Sequence, residues 1–315
     1  MIRIGLVDLD TSHPASFAKI LSQMEGVKVT AVYDHGDVWP PGYAEEFAQE
    51  HGTQVVAKPE DMIGHVESVM VVGTNWDRHL ERARPFLDGG VPTFVDKVVV
   101  GRVRDGIGLM EAAQRGKAPL MGGSSLRYGV EVVAMRKQIE EQGGALTAWA
   151  CGPGDAFNYA IHAVEMLQAA IGGGIRSVRF IGEHGPALFA VGYDDGRLAM
   201  LQLHTPGGFR VTACGKNGSL SSEVDAGRCY QEMLTRFVDM VRTGEPPVGF
   251  AESLEAVKVL LAARRSRATG ATVYLDDLTA DEGFDGEAFI LEYGRQRRAA
   301  EDRNSAAAPP LHAWQ

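Results

Sequence analysis

The fold is decided at the N-terminus by the stretch IRIGLVDLDTSHPASFAKIL, residues 2 to 21. Its first third is a short apolar run, which predicts a buried strand. Phe17, Ile20 and Leu21 then recur at the spacing of an amphipathic helix, and a second apolar run covers Val27 to Tyr33. Strand, helix and strand in this order predict a βαβ unit with parallel strands.

The same alternation continues to about residue 122. Strands are predicted at 54–56, 68–72, 93–95 and 119–121, and helices at 43–51, 59–63, 77–87 and 104–114. Repeated alternation of this kind predicts a doubly wound parallel sheet of the Rossmann type. Any ligand of such a sheet lies outside the carboxyl ends of its strands. We therefore predict a dinucleotide-binding domain over residues 1–122.

The second half has a different pattern. After one predicted helix at 157–171, strands follow one another without helices between them, at 186–193, 197–204 and 209–214. Turn sequences such as Asp194-Asp195-Gly196 separate these strands, as in hairpins. We predict an α/β domain with an open, mainly antiparallel sheet over 123–276. From 277 to 315 the apolar periodicity is lost, which predicts a tail.

Composition narrows the class of protein. The 315 residues suffice for two domains, and 31 basic against 41 acidic residues give a net charge of −10. That charge argues against nucleic acid or an anionic membrane as the partner. The three cysteines have no CxxC spacing, and no apolar run reaches the ~20 residues of a membrane helix. We expect a cytoplasmic protein with a small-molecule ligand and without a signal peptide.

The first turn departs from the usual dinucleotide motif. A glycine-rich GxGxxG turn lets the backbone approach a pyrophosphate, whereas this turn reads GLVDLDTSHP, residues 5 to 14. Asp8 and Asp10 would repel phosphate if both were charged. One alternative is that Asp10, Thr11 or Ser12 caps the following helix. Another is a metal site on Asp8, Asp10 and His13, for which no fourth ligand is in view.

Asp34 ends the second predicted strand. An acidic side chain at this position can accept hydrogen bonds from the adenosine ribose hydroxyls, which favours NAD over NADP. The alternative is that Asp34 is a turn or cap residue.

Five short motifs resemble one known family. They are TNWDRH at 74–79 followed by GGVP at 89–92, DK at 96–97, RY at 127–128, NYAIH at 158–162, and the closing stretch from 237 to 275. In this order and spacing they resemble the Gfo/Idh/MocA oxidoreductases, over residues 2 to 276. The segment LDTSH, Leu9 to His13, is similar to the subset of that family that lacks the glycine-rich turn.

The resemblance implies an NAD(P)-dependent dehydrogenase or reductase that acts on a sugar, a cyclitol or a related hydroxy or keto compound. It also implies a homo-oligomer, a dimer or tetramer, formed through the open sheet. Two motifs depart from the family: its EKP is Asp96-Lys97-Val98 here, and its aspartate is replaced by Asn158. Asn158 cannot serve as a general base, whereas the lysine is retained.

Residue roles follow from the same resemblance. Lys97 and His162 are the expected catalytic pair, because hydride transfer needs a proton donor or acceptor and a cation beside the developing alkoxide. The expected cofactor contacts are Leu9, Asp10, Thr11, Ser12, His13, Asp34, Thr74, Asn75, Trp76 and His79. The expected substrate contacts are Ser124, Arg127, Tyr128, Asn158 and Tyr159.

Each role has a structural alternative. Lys97 ends a predicted buried strand, where desolvation lowers a lysine pKa, but it can equally be a surface lysine. His162 shares a helix face with Asn158 and Glu165, either of which would fix its tautomer, but helical histidines are often structural. At the level of function, the alternatives are a non-redox hydrolase, lyase or epimerase, and a binding protein without cofactor on the same scaffold.

Overall fold

The computed structural model describes residues 1–302, with side chains through residue 298. The chain forms two compact units. The first contains Met1–Gly122, Leu234–Phe250 and the described part of Asp285–Pro309, and the second contains Gly123–Met233 and Ala251–Phe284. The first change of unit falls after Gly122.

The first unit is built on a six-stranded sheet with the order β3-β2-β1-β4-β5-β6. The strands are β1 (Ile2–Val7), β2 (Val27–Tyr33), β3 (Gln54–Val55), β4 (Ser68–Val71), β5 (Thr93–Asp96) and β6 (Leu120–Gly123). The helices between them are α1 (His13–Leu21), α2 (Tyr43–His51), α3 (His79–Asp88) and α4 (Val103–Gly116). Strand β1 pairs in parallel with β2 and with β4. The predicted doubly wound parallel sheet is therefore confirmed, and its strand order reverses between β1 and β4.

The second unit contains a seven-stranded sheet with the order β12-β11-β7-β10-β9-β8-β13. Its strands are β7 (Ala145–Gly152), β8 (Ile175–Glu183), β9 (Ala187–Tyr193), β10 (Leu198–Leu203), β11 (Arg210–Gly215), β12 (Gly218–Glu223) and β13 (Val273–Tyr274). Strand β7 runs parallel to β10, and the other described pairs are antiparallel. The prediction of a mainly antiparallel sheet is confirmed, although β7, β8, β12 and β13 were not predicted.

Helix α6 (Ala160–Ile171) lies in the core of the second unit. Its alanine, isoleucine, valine, leucine and methionine side chains are buried on every side, as in a helix enclosed by its own domain. Glu165 and His162 are buried in the same helix. Because buried ionisable groups need partners, we expect Glu165 and His162 to make polar contacts within the second unit. The unit also contains α5 (Val130–Glu141), which was not predicted.

Three further helices complete the chain. They are α7 (Ala226–Thr243), α8 (Phe250–Thr269) and α9 (Gly286–Asp302). From Leu234 onward, α7 belongs to the first unit, where the Phe237 ring lies 6.0 Å from that of Phe94. No helix among residues 1–302 is long and apolar enough to cross a membrane.

The structure differs from the predicted tail in its described part. Residues up to Phe284 belong to the second unit, where the Phe284 ring stacks on Phe157 with centroids 3.8 Å apart. Residues from Gly286 form α9 and belong to the first unit. The apolar side chains of α9 are few and two of its helix positions are glycine, so its periodicity is weak in the sequence. The remainder of the predicted tail, 303–315, lies outside the described residues.

Candidate functional site

Two carboxyl groups are buried in the turn after β1. Asp8 and Asp10 expose only 5% and 2% of their surface. One oxygen of Asp10 accepts a hydrogen bond from the Thr74 N–H at 2.7 Å, and one oxygen of Asp8 lies 3.6 Å from Nε of Arg82. The other oxygen of each carboxyl has no hydrogen-bond partner among the described residues.

Burial determines the charge of these two groups. It raises the pKa of Asp8 to about 7, against the opposing attraction of Arg82. It raises the pKa of Asp10 well above its usual range, and the charge of Asp8 adds to that effect. The turn therefore does not carry two full negative charges at neutral pH. The repulsion of phosphate expected from the sequence is correspondingly weaker.

Gly73, just after β4, makes room for both carboxyls. A Cβ atom at Gly73 would lie 3.0 Å from Oδ2 of Asp8 and 3.4 Å from Oδ2 of Asp10. The two carboxyl groups thus pack directly against the backbone at the end of β4. Nothing in the local sequence signals this contact, because the partners are more than 60 residues apart.

The candidate caps of α1 act differently from expectation. Ser12 occupies the cap position, but its side chain makes no capping hydrogen bond with the described residues. Thr11 accepts one from the His13 N–H at 3.0 Å, and the Asp10 carboxyl accepts the bond from Thr74 instead. His13 itself pairs through Nδ1 with Asp96 at 2.5 Å. No set of side chains suited to a metal ion is found in residues 1–298.

Lys97 follows β5 and is half-buried. Its backbone N–H donates to Oδ1 of Asp96 at 2.8 Å, and its peptide bond to Val98 is cis. Since the other oxygen of Asp96 contacts His13, one carboxylate fixes both the backbone of Lys97 and the imidazole at the start of α1. Asp96 was not predicted as a site residue, because its partner lies 83 residues away in sequence.

The loop after β2 closes on the first turn. Oδ1 of Asp34 accepts the N–H of Leu9 at 2.9 Å, and the indole Nε1 of Trp39 donates to the carbonyl of Leu9 at 2.7 Å. Burial raises the pKa of Asp34, and the N–H groups of Leu9 and Gly36 oppose that shift. Asp34 therefore holds the turn in place, which is the structural role left open by the sequence. Its predicted contact with a ribose stays a prediction.

The residues predicted to contact a cofactor after β4 are buried. They are Thr74, Asn75, Trp76 and His79. The ring nitrogens of His79 lie 3.0 Å from the carbonyl oxygens of Val99 and Gly73, so His79 joins the ends of β4 and β5. Burial lowers the pKa of His79, although both carbonyls oppose the change. The contacts of His79 among the described residues are therefore structural, since they join two backbone segments.

In the second unit, Ser124 pairs with His162. Its Oγ lies 2.6 Å from Nδ1 of His162 and also accepts the Leu126 N–H at 3.1 Å. Since the oxygen already accepts from a backbone donor, we assign the hydroxyl proton to the bond with Nδ1, which leaves the imidazole proton on Nε2. The sequence predicted Glu165 or Asn158 as the partner of His162. Ser124, 38 residues away in sequence, takes that place.

Arg127 is enclosed by acceptors of its own unit. Its guanidinium donates to Glu165 at 3.1 Å, to Gln168 at 2.8 Å and to Glu252. Burial alone would lower the pKa of Arg127, but Glu165 and Glu252 outweigh it and raise that pKa. Burial raises the pKa of Glu165, against the attraction of Arg127. These contacts support a positioning role for Arg127 rather than the predicted substrate contact.

The segment before α6 is organised by Asp155, which was not predicted. Its Oδ1 accepts the N–H groups of Phe157 at 2.8 Å and Asn158 at 2.6 Å, a side-chain turn that starts the helix. The Tyr159 ring lies 6.0 Å from His162 and is 45% exposed, whereas Tyr128 is buried. Of the predicted substrate contacts, Tyr159 is thus the side chain with the greatest exposure.

Comparisons with known proteins give a likeness of fold. No protein-family model and no curated protein matches the chain. A probable dehydrogenase from Thermotoga maritima is similar in structure, with a TM-score of 0.79 at 17% identity, covering 88% of this chain and 100% of that one. Scyllo-inositol dehydrogenase from Lactobacillus casei, solved with NAD(H) and scyllo-inositol, gives 0.77 at 15% identity with coverages of 88% and 100%. A myo-inositol dehydrogenase from Corynebacterium glutamicum gives 0.75 at 16%, with coverages of 88% and 100%.

Proposed function

We propose that this protein is an NAD(P)-dependent oxidoreductase that transfers a hydride between nicotinamide and a hydroxyl or carbonyl carbon of a sugar, a cyclitol or a related compound. The observation that carries the proposal is the likeness in fold, over 88% of the chain, to a scyllo-inositol dehydrogenase solved with NAD(H) and scyllo-inositol. The motif resemblance at 74–79, 96–97 and 158–162 supports it independently.

The first unit fits a dinucleotide at its carboxyl edge. The strand order reverses between β1 and β4, and such a point is where open α/β sheets bind their ligands. A carboxyl group with a raised pKa keeps its proton near neutral pH and can donate a hydrogen bond to a phosphate oxygen. Asp8 and Asp10 each retain one oxygen without a protein partner among the described residues. These two residues would hold the phosphates, with NAD favoured over NADP by Asp34.

The chain's own groups would handle the proton that accompanies the hydride, while bound nicotinamide supplies or accepts the hydride itself. His162 carries its proton on Nε2 when Ser124 donates to Nδ1, and so can donate a hydrogen bond to a substrate oxygen during reduction. The Lys97 ammonium would stabilise a developing alkoxide and, as a charged acid, would supply its proton. Asp96 and Arg127 act as positioning residues, the first on the backbone of Lys97 and the second on Glu165.

Isothermal titration of the intact protein with NADH and NADPH tests this function. We expect NADH to bind, and NADH oxidation with a keto-sugar or keto-cyclitol to fall at least 100-fold in Lys97→Met, since a charge beside the oxyanion is lost. Binding of NADH by Lys97→Met serves as the control for folding. Folded protein that binds neither dinucleotide up to millimolar concentration would contradict the proposal.

A second candidate is a binding protein or a non-redox enzyme that works without a dinucleotide. The specific observation in its favour is that the polar groups of the first turn are already engaged: Asp34 and Trp39 hold both backbone groups of Leu9. Mass spectrometry of small molecules released from denatured, freshly purified protein separates the two. A retained dinucleotide supports the oxidoreductase, and a retained sugar without dinucleotide supports the second candidate.

The homo-oligomer and the cytoplasmic location stay predictions. Light scattering of the purified protein tests the first, since a mass of 33.9 kDa in solution would identify a monomer.

A further inference from the structure

Helix α9 begins on the loop that follows β4. The Asp77 carboxylate accepts the N–H of Gly286 at 2.8 Å and that of Glu287 at 3.3 Å, so a residue 209 positions earlier caps the helix. Arg78 donates from Nε to Glu287 at 3.2 Å. The start of α9 is therefore fixed to the very loop that the sequence predicts to contact a dinucleotide.

The contact between this loop and α9 is close. A Cβ atom at Gly286 would lie 2.7 Å from Oδ1 of Asn75 and 2.9 Å from the backbone nitrogen of Asp77, so no side chain fits there. One turn later the ring of Phe289 lies 4.6 Å from that of Trp76. Trp76 is 2% exposed. Two residues predicted as cofactor contacts, Asn75 and Trp76, are thus covered by α9.

The far end of α9 reaches the loop after β2. Nη1 of Arg298 donates to the carbonyl of Val38 at 3.0 Å, and a Cβ atom at Gly294 would lie 3.3 Å from the carbonyl of Asp37. In a sheet of this order, the adenosine ribose lies against the end of β2 and the phosphates lie near β1. Helix α9 accordingly spans the loops after β4 and β2 that a dinucleotide would use.

Two guanidinium groups of the first unit share one histidine. Arg78 and Arg82 approach the two ring nitrogens of His35 at 2.6 and 3.1 Å. A neutral imidazole offers a lone pair on only one nitrogen, so it accepts one of these bonds. Nε of Arg82 is buried without a hydrogen-bond partner among the described residues. An anion bound here would accept hydrogen bonds from Nε of Arg82 and from the guanidinium group that His35 does not serve.

We propose that α9 is an intramolecular gate: a dinucleotide binds only to molecules in which α9 has left the carboxyl edge, and Arg78 exchanges Glu287 for an anionic group of the nucleotide. This inference rests on the proposed function. The gate explains why the predicted contact residues at this edge of the sheet are buried, although the strand order there is that of a nucleotide-binding site. The gate reduces apparent affinity by the fraction of molecules that are open.

Gly286→Ala in the full-length chain tests the gate. The added methyl group would lie 2.7 Å from Oδ1 of Asn75 and 2.9 Å from the backbone nitrogen of Asp77, so the start of α9 has to move away from this loop. We expect NADH to bind about tenfold more tightly than to the unchanged protein. Leu291→Ala is the control, because Leu291 lies on α9 and is 66% exposed, and we expect no change in affinity. In the unchanged protein, NADH should speed hydrogen exchange of amides 286–298.

The outcomes separate the two proposals. The gate is overturned if Gly286→Ala and the unchanged protein bind NADH with equal affinity and NADH does not alter hydrogen exchange of α9. The proposed oxidoreductase function is unaffected by that result. Weaker binding by Gly286→Ala means that α9 belongs to the site, which also overturns the gate. No binding by either folded protein overturns both proposals. If Gly286→Ala fails to fold, Glu287→Gln replaces it, with an expected two- to threefold gain in affinity from loss of the Arg78 pair.

Discussion

The first turn of the first unit and the Arg127 cluster of the second unit bury carboxyl groups to the same depth but neutralise them differently. Among the described residues the cation beside Asp8 is Arg82, with Nε 3.6 Å from Oδ2, and burial raises the pKa of both Asp8 and Asp10. Glu165 is met by the guanidinium of Arg127 at 3.1 Å and by the N–H of Ser124 at 3.0 Å. The second arrangement pairs its buried carboxylate with a guanidinium, whereas the first favours protonated carboxyl groups. In both arrangements one oxygen of each carboxyl, Oδ1 of Asp8 and Asp10 and Oε1 of Glu165, has no hydrogen-bond partner among the described residues.

The largest loss of stability is expected where a buried carboxylate is paired with a buried guanidinium. Arg127→Met leaves Glu165 buried without its cation, and breaking such a pair typically costs about 3–5 kcal/mol of unfolding free energy. Urea denaturation at pH 7 measures it. Arg136→Met is the control, since Arg136 pairs with Glu140 on an exposed helix face, where about 0.5 kcal/mol is typical. Similar losses in both variants would contradict the assignment of Arg127 as the neutralising group.

The second largest effect on stability is expected at Asp8, whose buried carboxyl group binds a proton in the folded protein. Because the pKa of Asp8 is about 7 in the folded protein and near its usual ~4 in the unfolded chain, the folded state binds the extra proton. This contribution is fully present below about pH 4 and is lost as the pH rises through 7. Asp8→Asn cannot ionise, and asparagine tolerates the positive φ of 66° at this position.

We therefore expect Asp8→Asn to be more stable than the unchanged protein at pH 8, by about 2–4 kcal/mol, and the two to converge near pH 4. Urea titrations between pH 4 and 8 measure the difference. The exposed Asp61→Asn should change neither the stability nor its pH dependence. A difference that is constant across this pH range would show that ionisation of Asp8 is not its source.

The smallest effect is expected from Ser124→Ala. The substitution removes two hydrogen bonds, one to Nδ1 of His162 and one from the Leu126 N–H, at about 1 kcal/mol of stability each. The imidazole of His162 also loses the donor that fixes its tautomer. Nitrogen NMR of the histidine ring should therefore show the proton on Nε2 in the unchanged protein and a mixture in the variant. Ser22→Ala, which removes an exposed hydroxyl bonded to Lys19, should leave the His162 signals in place.

Much of the fold follows from the sequence. The strand at Val27–Tyr33 and the helix at Tyr43–His51 are found at their predicted bounds, because each is short, periodic and flanked by turn residues. Helix α9 was missed because its close docking uses Gly286 and Gly294, which allow approach but carry no hydrophobic signal. Strand β12 was missed because its serines and glycine lack the apolar alternation of a half-buried strand.

The site was less predictable than the fold. The sequence analysis singled out Asp8 and Asp10 by residue type and His162 by the family resemblance. The partners themselves are supplied by distant segments: Arg82 for Asp8, Asp96 for His13 and Ser124 for His162. A sequence pattern encodes which face of an element is buried, but not which side chain another element brings to it. For that reason the tautomer partner of His162 was assigned to its own helix.

The division of the first unit along the chain affects its biosynthesis. Its core includes Phe237 beside Phe94, supplied by a segment that starts roughly 110 residues after Gly122. At a translation rate of about 5–20 residues per second, the ribosome needs roughly 6–22 s to synthesise the intervening chain. During that interval Phe237 is not yet present to pack against the nascent parallel sheet. Chaperones that bind exposed aromatic surface then have their longest access to this protein.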